Sequence, residues 1–217
     1  SSEELDFKDI ESCYEYVINL KPDWIINSAA YTAVDNAEFQ KEVAYKINAL
    51  APKALAKALS FTGGKIIQIS TDYVFNGKNN IPYLTSQKKD PISFYGESKA
   101  AGEEAIEKEL ASNKNYFILR TSWLISEIGN NFILKMLDLF SKEKEISIVS
   151  DQIGSPTSTS SLVKAIWRII ELDGSLKNNQ KNFNNIIHWT DQGIASWYDL
   201  VSEQIAKILP LCNTEIS

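Results

Sequence analysis

Two short segments in the first half of the chain carry residue types suited to carbonyl chemistry. Residues 70–77 read Ser-Thr-Asp-Tyr-Val-Phe-Asn-Gly, and residues 95–99 read Tyr-Gly-Glu-Ser-Lys. A helix would place Tyr95 and Lys99 on one face, where the ammonium favours the phenolate and lowers the phenol pKa. Thr71 ends a predicted strand, where its hydroxyl would donate to a substrate oxygen. Together these candidate catalytic residues indicate proton transfer at a ketone or an alcohol.

Each segment also has an ordinary structural interpretation. A Tyr-x-x-x-Lys spacing arises often by chance on a solvated helix face, and a Ser-Thr-Asp step is common in turns and helix caps. Here the two segments occur in order, first at the end of a predicted strand and then on a predicted helix. This combination favours ketone or alcohol redox chemistry over coincidence.

Alternating strands and helices are predicted around these segments. Short apolar runs predict buried strands at 23–29, 64–70 and 116–121. Helical patterns cover roughly 37–60, with a break or a new first turn at Pro52, and 94–111. Parallel strands are buried on both faces and are connected by helices, which matches this order. The sequence therefore predicts an α/β fold with a doubly wound parallel sheet.

The last third of the chain has a more mixed pattern. Helices are predicted near 130–142, 158–171 and 196–208, and short strands near 145–149 and 184–189. Between the helices and strands, residues 174–185 are polar and are expected to form a surface loop. This part is therefore expected to be a smaller C-terminal α/β part.

Composition argues against several classes of protein. The chain has 217 residues and a formal net charge of −6, with acidic and basic residues interspersed, so no nucleic-acid partner is expected. No apolar run has the length of a membrane span. Cys13, Cys212 and the single histidine, His188, lack the spacing of a zinc site or a histidine-based triad, so no metal is predicted. A cytoplasmic setting is expected.

Six segments carry a resemblance to a known family: 27–35, 70–77, 95–99, 120–123, 151–157 and 196–199. They resemble the extended short-chain dehydrogenase/reductases, and within these the dTDP-4-dehydrorhamnose reductase family, from about Leu5 to about Leu209. The resemblance implies a Rossmann-like sheet. Residues 1–125 would form an incomplete dinucleotide-binding domain, and residues 126–217 a mainly substrate-binding part with elements that return to the Rossmann sheet.

The resemblance implies a reaction and three catalytic roles. The C4 ketone of a nucleotide-linked 4-keto-6-deoxyhexose would be reduced by NADPH or NADH, turning dTDP-4-dehydrorhamnose into dTDP-rhamnose for polysaccharide synthesis. Tyr95 would donate the proton to the keto oxygen, and Thr71 would hold that oxygen. Lys99 would lower the Tyr95 pKa and bind the nicotinamide ribose.

The resemblance also implies binding residues. Cofactor-binding positions, besides Tyr95 and Lys99, are Asp6, Phe7, Ala29, Ala30, Tyr31 and Thr32. Substrate-binding positions, besides Thr71, are Val34, Asp72, Tyr73 and Trp123. The aromatic residues among them have the alternative of being ordinary core residues. Asp6 is also a candidate N-cap for a helix predicted at 9–19.

Two departures from the family pattern affect these expectations. The Gly-rich phosphate-binding turn that opens a dinucleotide-binding fold would lie before Ser1, so the chain is expected to be a piece of a longer protein. Related dehydratases carry Asp-Glu after the catalytic threonine, whereas Asp72 and Tyr73 follow Thr71 here. The second departure argues against elimination chemistry.

Other functions stay open at this point. A non-catalytic relative, like the regulatory subunit of methionine adenosyltransferase, would bind a partner protein instead of turning over a substrate. Intact Thr71, Tyr95 and Lys99 favour an enzyme. A reductase of a different nucleotide-linked 4-keto sugar is a further alternative. The expected partner is the nucleotide-sugar substrate, no membrane partner is expected, and a homodimer is left open.

Overall fold

The chain is divided into two compact units. The computed structural model describes residues 5–129, 131–142, 145–175, 184–205 and 215–216. One unit comprises Ser1–Arg120 and Lys181–His188, and the other comprises Thr121–Gln180 and Trp189–Ser217. The assignment of dinucleotide binding to residues 1–125 and of substrate binding to residues 126–217 stays a prediction.

The elements follow the alternation that the sequence predicts. The strands are β1 Trp24–Asn27, β2 Lys65–Thr71, β3 Tyr116–Thr121, β4 Leu124–Ile125, β5 Glu145–Ile146, β6 Ile153–Gly154, β7 Thr157–Ser158, β8 Ile186–His188, β9 Ala195–Ser196 and β10 Glu215–Ile216. The α-helices are α1 Ile10–Leu20, α2 Val34–Ala37, α3 Lys41–Tyr45, α4 Ala51–Thr62, α5 Phe94–Glu109, α6 Phe132–Lys142, α7 Thr159–Ser175 and α8 Trp197–Asp199. Further helical turns are the π-helical Lys46–Leu50 and Leu200–Ile205 and the 3₁₀ turn Asp72–Val74.

A four-stranded sheet in the order β1-β2-β3-β8 forms the centre of the first unit. β1 pairs in parallel with β2, and Asn27 lies beside Gln68; β3 pairs in parallel with β8, and Arg120 lies beside His188. β2 and β3 are nearly continuous runs of buried residues, as expected of strands that are covered on both faces. The predicted α/β fold with a parallel sheet is confirmed, and the strand predicted at 116–121 has the bounds of β3.

An apolar core joins α1, α4 and α5 to the sheet. Its fully buried aliphatic members include Val17, Leu59, Ile66, Ile106 and Leu110. α4 adds a row of buried alanines, and their small side chains let α1 and α5 pack closely against it. Each fully buried aliphatic side chain contributes about 1.5–3 kcal/mol to folding. This core therefore fixes α5, the helix that carries Tyr95 and Lys99.

The helix predicted at 37–60 is divided in the structure. Pro52 lies in the first turn of α4 and has no N–H to donate to the carbonyl of Asn48, four positions earlier. The N–H of Ala51 bonds to the carbonyl of Lys46, five positions earlier, which is the π-helical pattern. The backbone stays helical up to α4, so Pro52 marks a new first turn and not a break, and the wider turn that precedes it places Asn48 in a buried position.

The N-cap of α1 is Asp9, so the prediction of Asp6 as the cap is wrong. The Asp9 carboxylate accepts from the Ser12 N–H at 3.1 Å, which satisfies a free donor of the first helical turn. Asp6 lies one turn earlier, and its carboxylate accepts from the Lys8 N–H at 2.9 Å. A turn therefore separates Asp6 from the helix, because the Asp9 N–H bonds to the Asp6 carbonyl.

The second unit has short strand pairs and a core of its own. β4 pairs in parallel with β7, β5 pairs in parallel with β10, and β6 pairs in antiparallel fashion with β9. Its buried apolar cluster contains Met136, Phe140, Ile146 and Val201. The helix predicted at 196–208 is α8 followed by the π-helical turn that ends at Ile205, and residues 206–208 lie outside the described residues.

Within the described ranges, no helix is long and apolar enough to cross a membrane. The same ranges contain no group of three or more His, Cys, Asp or Glu side chains arranged to hold a metal ion.

Candidate active site

The carboxyl end of β2 presents Thr71 and the two residues that follow it. Thr71 is buried, and its hydroxyl donates to the Asp72 carboxylate at 3.0 Å. The same oxygen accepts from the Tyr73 N–H at 3.2 Å and thereby starts the 3₁₀ turn. Thr71 therefore caps a turn, as its ordinary interpretation suggests, and also stands at the strand end where ligands bind in open α/β sheets.

Helix α5 carries Tyr95 in its first turn and Lys99 in its second. The Ser93 side chain caps the helix by accepting from the Gly96 N–H at 3.2 Å. A Cβ on Gly96 would lie 2.2 Å from the Tyr73 carbonyl oxygen, so only glycine lets the helix approach the turn after β2 this closely. The absence of a side chain at Gly96 therefore brings Tyr95 next to the end of β2.

Tyr95 meets Thr71 and Tyr73 in the structure. The Thr71 side chain lies close enough to the Tyr95 hydroxyl to affect its pKa. The Tyr95 ring packs edge-to-face with the Tyr73 ring, with centroids 5.5 Å apart and planes at 78°. The hydroxyl groups of Tyr95 and Thr71, which the sequence analysis assigns to the keto oxygen, thus lie close to each other. A substrate oxygen placed between them would contact both.

The pKa of Tyr95 moves in the direction opposite to the one expected from Lys99 alone. Burial raises it to about 12, because the charged phenolate loses hydration. The neighbouring Thr71 hydroxyl opposes this rise in pKa, and the charge of Asp72 adds to it. Tyr95 is therefore a protonated phenol at neutral pH, and a lowering of its pKa by Lys99 stays a prediction.

Lys99 is buried beneath the site and is held by the backbone of β2. Its ammonium donates to the Ile69 carbonyl at 2.7 Å. Burial lowers the pKa of Lys99 to about 8, and the negative charge of Glu103 opposes this fall. An ammonium has three donors, so hydrogens remain for the hydroxyls of a ribose. The chemistry of this group fits the predicted nicotinamide ribose.

Asp72 and Tyr73 form the open side of the site. Asp72 is accessible to solvent although protein surrounds it on most sides, and this partial desolvation raises the pKa of its carboxyl. Tyr73 is 40% exposed, and desolvation followed by the charges of Asp72 and Asp35 raises its pKa. Both side chains are reachable by a ligand, and their contact with a sugar stays a prediction.

The segment after β1 is fixed by Asn48, a residue that the sequence analysis missed. The Asn48 side chain accepts from the Tyr31 N–H at 2.8 Å and donates to the Tyr31 carbonyl at 3.1 Å. It also donates to Ser98 Oγ at 2.9 Å, and Ser98 Oγ in turn donates to the Tyr95 carbonyl at 2.7 Å. Asn48 thus ties Tyr31, within the predicted cofactor-binding stretch from Ala29 to Thr32, to α5. An amide inside an alanine-rich apolar helix is the sequence signal that would have indicated Asn48.

Apolar side chains in and after the Ala29–Thr32 stretch pack against Tyr95. Tyr31, Val34 and Phe94 pack against the buried side chains of Tyr95 and two alanines. The Ala29 N–H is held by the side chain of Asn27 at 3.2 Å, at the end of β1. The structure therefore brings the predicted positions Tyr31 and Val34 into one cluster with Tyr95.

Asp6 and Phe7 lie in a different part of the first unit. Phe7 is partly buried and packs against the core that α1, α4 and α5 share. The Asp6 carbonyl lies 3.8 Å from the Cys13 sulfur. The contacts that the structure gives these two residues are with the turn and the core, not with Tyr95, and their contact with a cofactor stays a prediction.

Trp123, the remaining predicted residue, lies in the second unit. It has a φ of +47°, which is unusual for a bulky residue. Its indole stacks on Trp197 with ring centroids 3.5 Å apart and planes 9° apart. A Cβ on Gly154 would lie 2.5 Å from this indole, so glycine is required beneath it. Packing therefore holds the strained backbone of Trp123 in place, and its role at a substrate stays a prediction.

Comparisons with known proteins place this arrangement in a family. The RmlD substrate binding domain family matches residues 1–216. The dTDP-4-dehydrorhamnose reductase of Escherichia coli (strain K12) is 37% identical over 216 residues, which are 98% of this chain and 70% of that protein. The dTDP-4-dehydrorhamnose reductase of Sinorhizobium fredii is 41% identical over 81% of this chain, and the match spans 58% of its own length.

A solved structure agrees with these relatives. The dTDP-4-dehydrorhamnose reductase of Bacillus anthracis, determined in complex with NADP, has a TM-score of 0.87 and 36% identity; the match covers 100% of this chain and 72% of that one. Because the match covers the whole chain, it includes strand β2, which ends at Thr71, and helix α5, which carries Tyr95 and Lys99. The chain therefore belongs to the dTDP-4-dehydrorhamnose reductase family, whose reductase fold it shares.

Proposed function

We propose that the protein to which this chain belongs reduces the C4 ketone of a nucleotide-linked 4-keto-6-deoxyhexose with NADPH, converting dTDP-4-dehydrorhamnose to dTDP-rhamnose. The observation that carries the proposal is that Thr71, at the end of β2, lies beside Tyr95 of α5, and that Lys99 of the same helix donates to the backbone of β2. The names of the relatives support the choice of substrate. The product would serve polysaccharide synthesis.

The protonation state of Tyr95 suits reduction. A ketone becomes an alcohol when hydride adds to carbon and a proton adds to oxygen. A phenol with a pKa of about 12 carries its proton at neutral pH and acts as the general acid. The Thr71 hydroxyl donates to the same oxygen as negative charge develops on it. Once the proton has left, Lys99 supplies a nearby positive charge for the phenolate.

Lys99 and the Ala29–Thr32 stretch are the proposed cofactor contacts of this chain. The ammonium keeps donors for the ribose hydroxyls, and the stretch offers backbone groups that Asn48 holds in place. The cofactor supplies the hydride. The NADP-bound relative from Bacillus anthracis supports NADPH, while NADH stays the alternative.

Val34, Asp72, Tyr73 and Trp123 are the proposed sugar contacts. Tyr73 stands where a dehydratase would carry a glutamate, so the site lacks the second acid–base group that elimination of water needs. The expected reaction therefore ends at the alcohol. A cytoplasmic setting and a homodimer stay predictions, and light scattering of the full-length protein would test the second.

The test is turnover by the full-length protein with NADPH and dTDP-4-dehydrorhamnose. Tyr95→Phe removes the proton donor while leaving the ring packing with Tyr73, and we expect kcat to fall about 100-fold or more. Tyr16→Phe, at an exposed tyrosine of α1, is the matched control and should keep the wild-type rate. Near-normal turnover by Tyr95→Phe would contradict the assignment. An inactive wild type that binds a partner enzyme would favour a regulatory role.

A further inference from the structure

Glu103 is a carboxylate in the interior that the proposed reaction does not use. Its residue exposure is 0%, and an ionised carboxylate in such a place is costly unless it is paired. Arg120, itself 3% exposed, binds it with two nitrogens, Nε at 2.9 Å and Nη2 at 2.6 Å. Lys89 approaches the same carboxylate at 3.6 Å. This bidentate pairing keeps Glu103 in one orientation.

The side chain that shares this carboxylate is Ser70, the residue before Thr71. Ser70 Oγ donates to Glu103 Oε1 at 2.5 Å, and Ser70 is 3% exposed. The hydroxyl therefore links the end of β2 to a side chain that Arg120 already immobilises. Movement of Ser70 would break this charge-assisted hydrogen bond in a buried place.

Glu103 continues the stripe of α5 that carries the catalytic pair. Tyr95, Lys99 and Glu103 are four positions apart and therefore lie on one face of the helix. This face lies against residues 69–71 of β2. The contacts are Tyr95 with Thr71, Lys99 with Ile69, and Glu103 with Ser70. The third contact is anchored to another strand by the side chain of Arg120 in β3.

We propose that Glu103 and Ser70 are positioning residues that set the register between α5 and the end of β2, and thereby the distance between Thr71 and Tyr95. The role rests on the proposed function, because it acts through the two hydroxyls that bind the keto oxygen. Reacting groups lose much of their advantage when they are displaced by about 1 Å. Glu103 and Ser70 touch neither cofactor nor sugar in this scheme.

Ser70→Ala is the variant that tests the link. It removes one hydroxyl and leaves the Glu103–Arg120 ion pair intact, so the fold is retained. In the full-length protein with NADPH and dTDP-4-dehydrorhamnose, we expect kcat to fall about 10- to 100-fold while both KM values change little. Glu104→Gln is the matched control, because Glu104 contacts Lys89 at 3.3 Å from an exposed position on the same helix. It should keep the wild-type kcat.

A second measurement separates this proposal from the proposed function. The Tyr73 N–H bonds to Thr71 Oγ1, so its hydrogen exchange reports on the end of β2 without any substrate. We expect exchange at Tyr73 to accelerate about 10-fold in Ser70→Ala and to stay unchanged at Val17 of α1. Unchanged exchange, or an unchanged kcat in an active enzyme, overturns the positioning role. An inactive wild type overturns only the proposed function, and exchange then decides the positioning role.

Discussion

At the scale of single residues, burial decides the protonation of the proposed catalytic side chains. Burial raises the pKa of Tyr95 to about 12 and lowers that of Lys99 to about 8, because it disfavours the charged form of each group. At neutral pH the site therefore holds a phenol able to give a proton and an ammonium able to bind a ribose. Spacing alone predicts that the two side chains share a face, but it does not predict the direction of the Tyr95 shift.

The Lys99 pKa leads to a prediction for pH dependence. The ammonium is the binding form and is lost as pH rises through about 8, so kcat/KM for NADPH should fall above that pH. Lys99→Arg stays charged throughout this range. We expect this variant to be slower but to lose the alkaline fall. Steady-state kinetics from neutral to alkaline pH would check this, and an alkaline fall that persists unchanged in Lys99→Arg would assign it to another group.

At the scale of elements, glycines bring α5 against its neighbours. A Cβ on Gly96 would lie 2.2 Å from the carbonyl oxygen of Tyr73, and one on Gly102 would lie 2.1 Å from that of Asn48. These approaches hold the helix against the turn after β2 and against the π-helical turn. The π-helical turn in turn holds the Tyr31 backbone. The geometry of the site thus depends on how closely one helix is able to pack.

Gly102→Ala should disrupt this packing. The added methyl group meets a backbone carbonyl that cannot rotate away, so we expect a loss of about 1–3 kcal/mol in the free energy of unfolding. Gly174→Ala is the control, because Gly174 also lies in a helix and a Cβ there meets nothing within 4 Å. It should be neutral or stabilise by up to about 1 kcal/mol. Urea unfolding followed by circular dichroism measures both, and equal stabilities would refute the close-packing argument.

The sequence indicates some features of the fold and site well and others not at all. β3 follows from local pattern, because an apolar run is a local property. The pairing of Thr71 with Tyr95 is implied by the resemblance to a family. The roles of Asn48 and Glu103 do not follow, since their partners are distant in the chain. Asp9 replaces Asp6 as the cap because neighbouring acidic residues compete for one helix end.

At the scale of the whole molecule, the predicted site residues are divided between the two units. All three proposed catalytic residues belong to the first unit, and Trp123 belongs to the second. Each unit has its own apolar cluster, so each is able to hold its own predicted residues in a fixed local geometry. The chain spans 70% of its relative from Escherichia coli, and activity is therefore a property to be measured on the full-length protein.

The central claim is that hydride reaches C4 of the sugar while Tyr95 supplies the proton. The most direct test supplies the full-length protein with dTDP-4-dehydrorhamnose and NADPH that carries deuterium at the transferable position of the nicotinamide. The account predicts a dTDP-6-deoxyhexose with deuterium on C4, detected by NMR and mass spectrometry. With Tyr95→Phe, almost none of this product should form. A product without deuterium at C4, or no product from the wild type, would contradict the account.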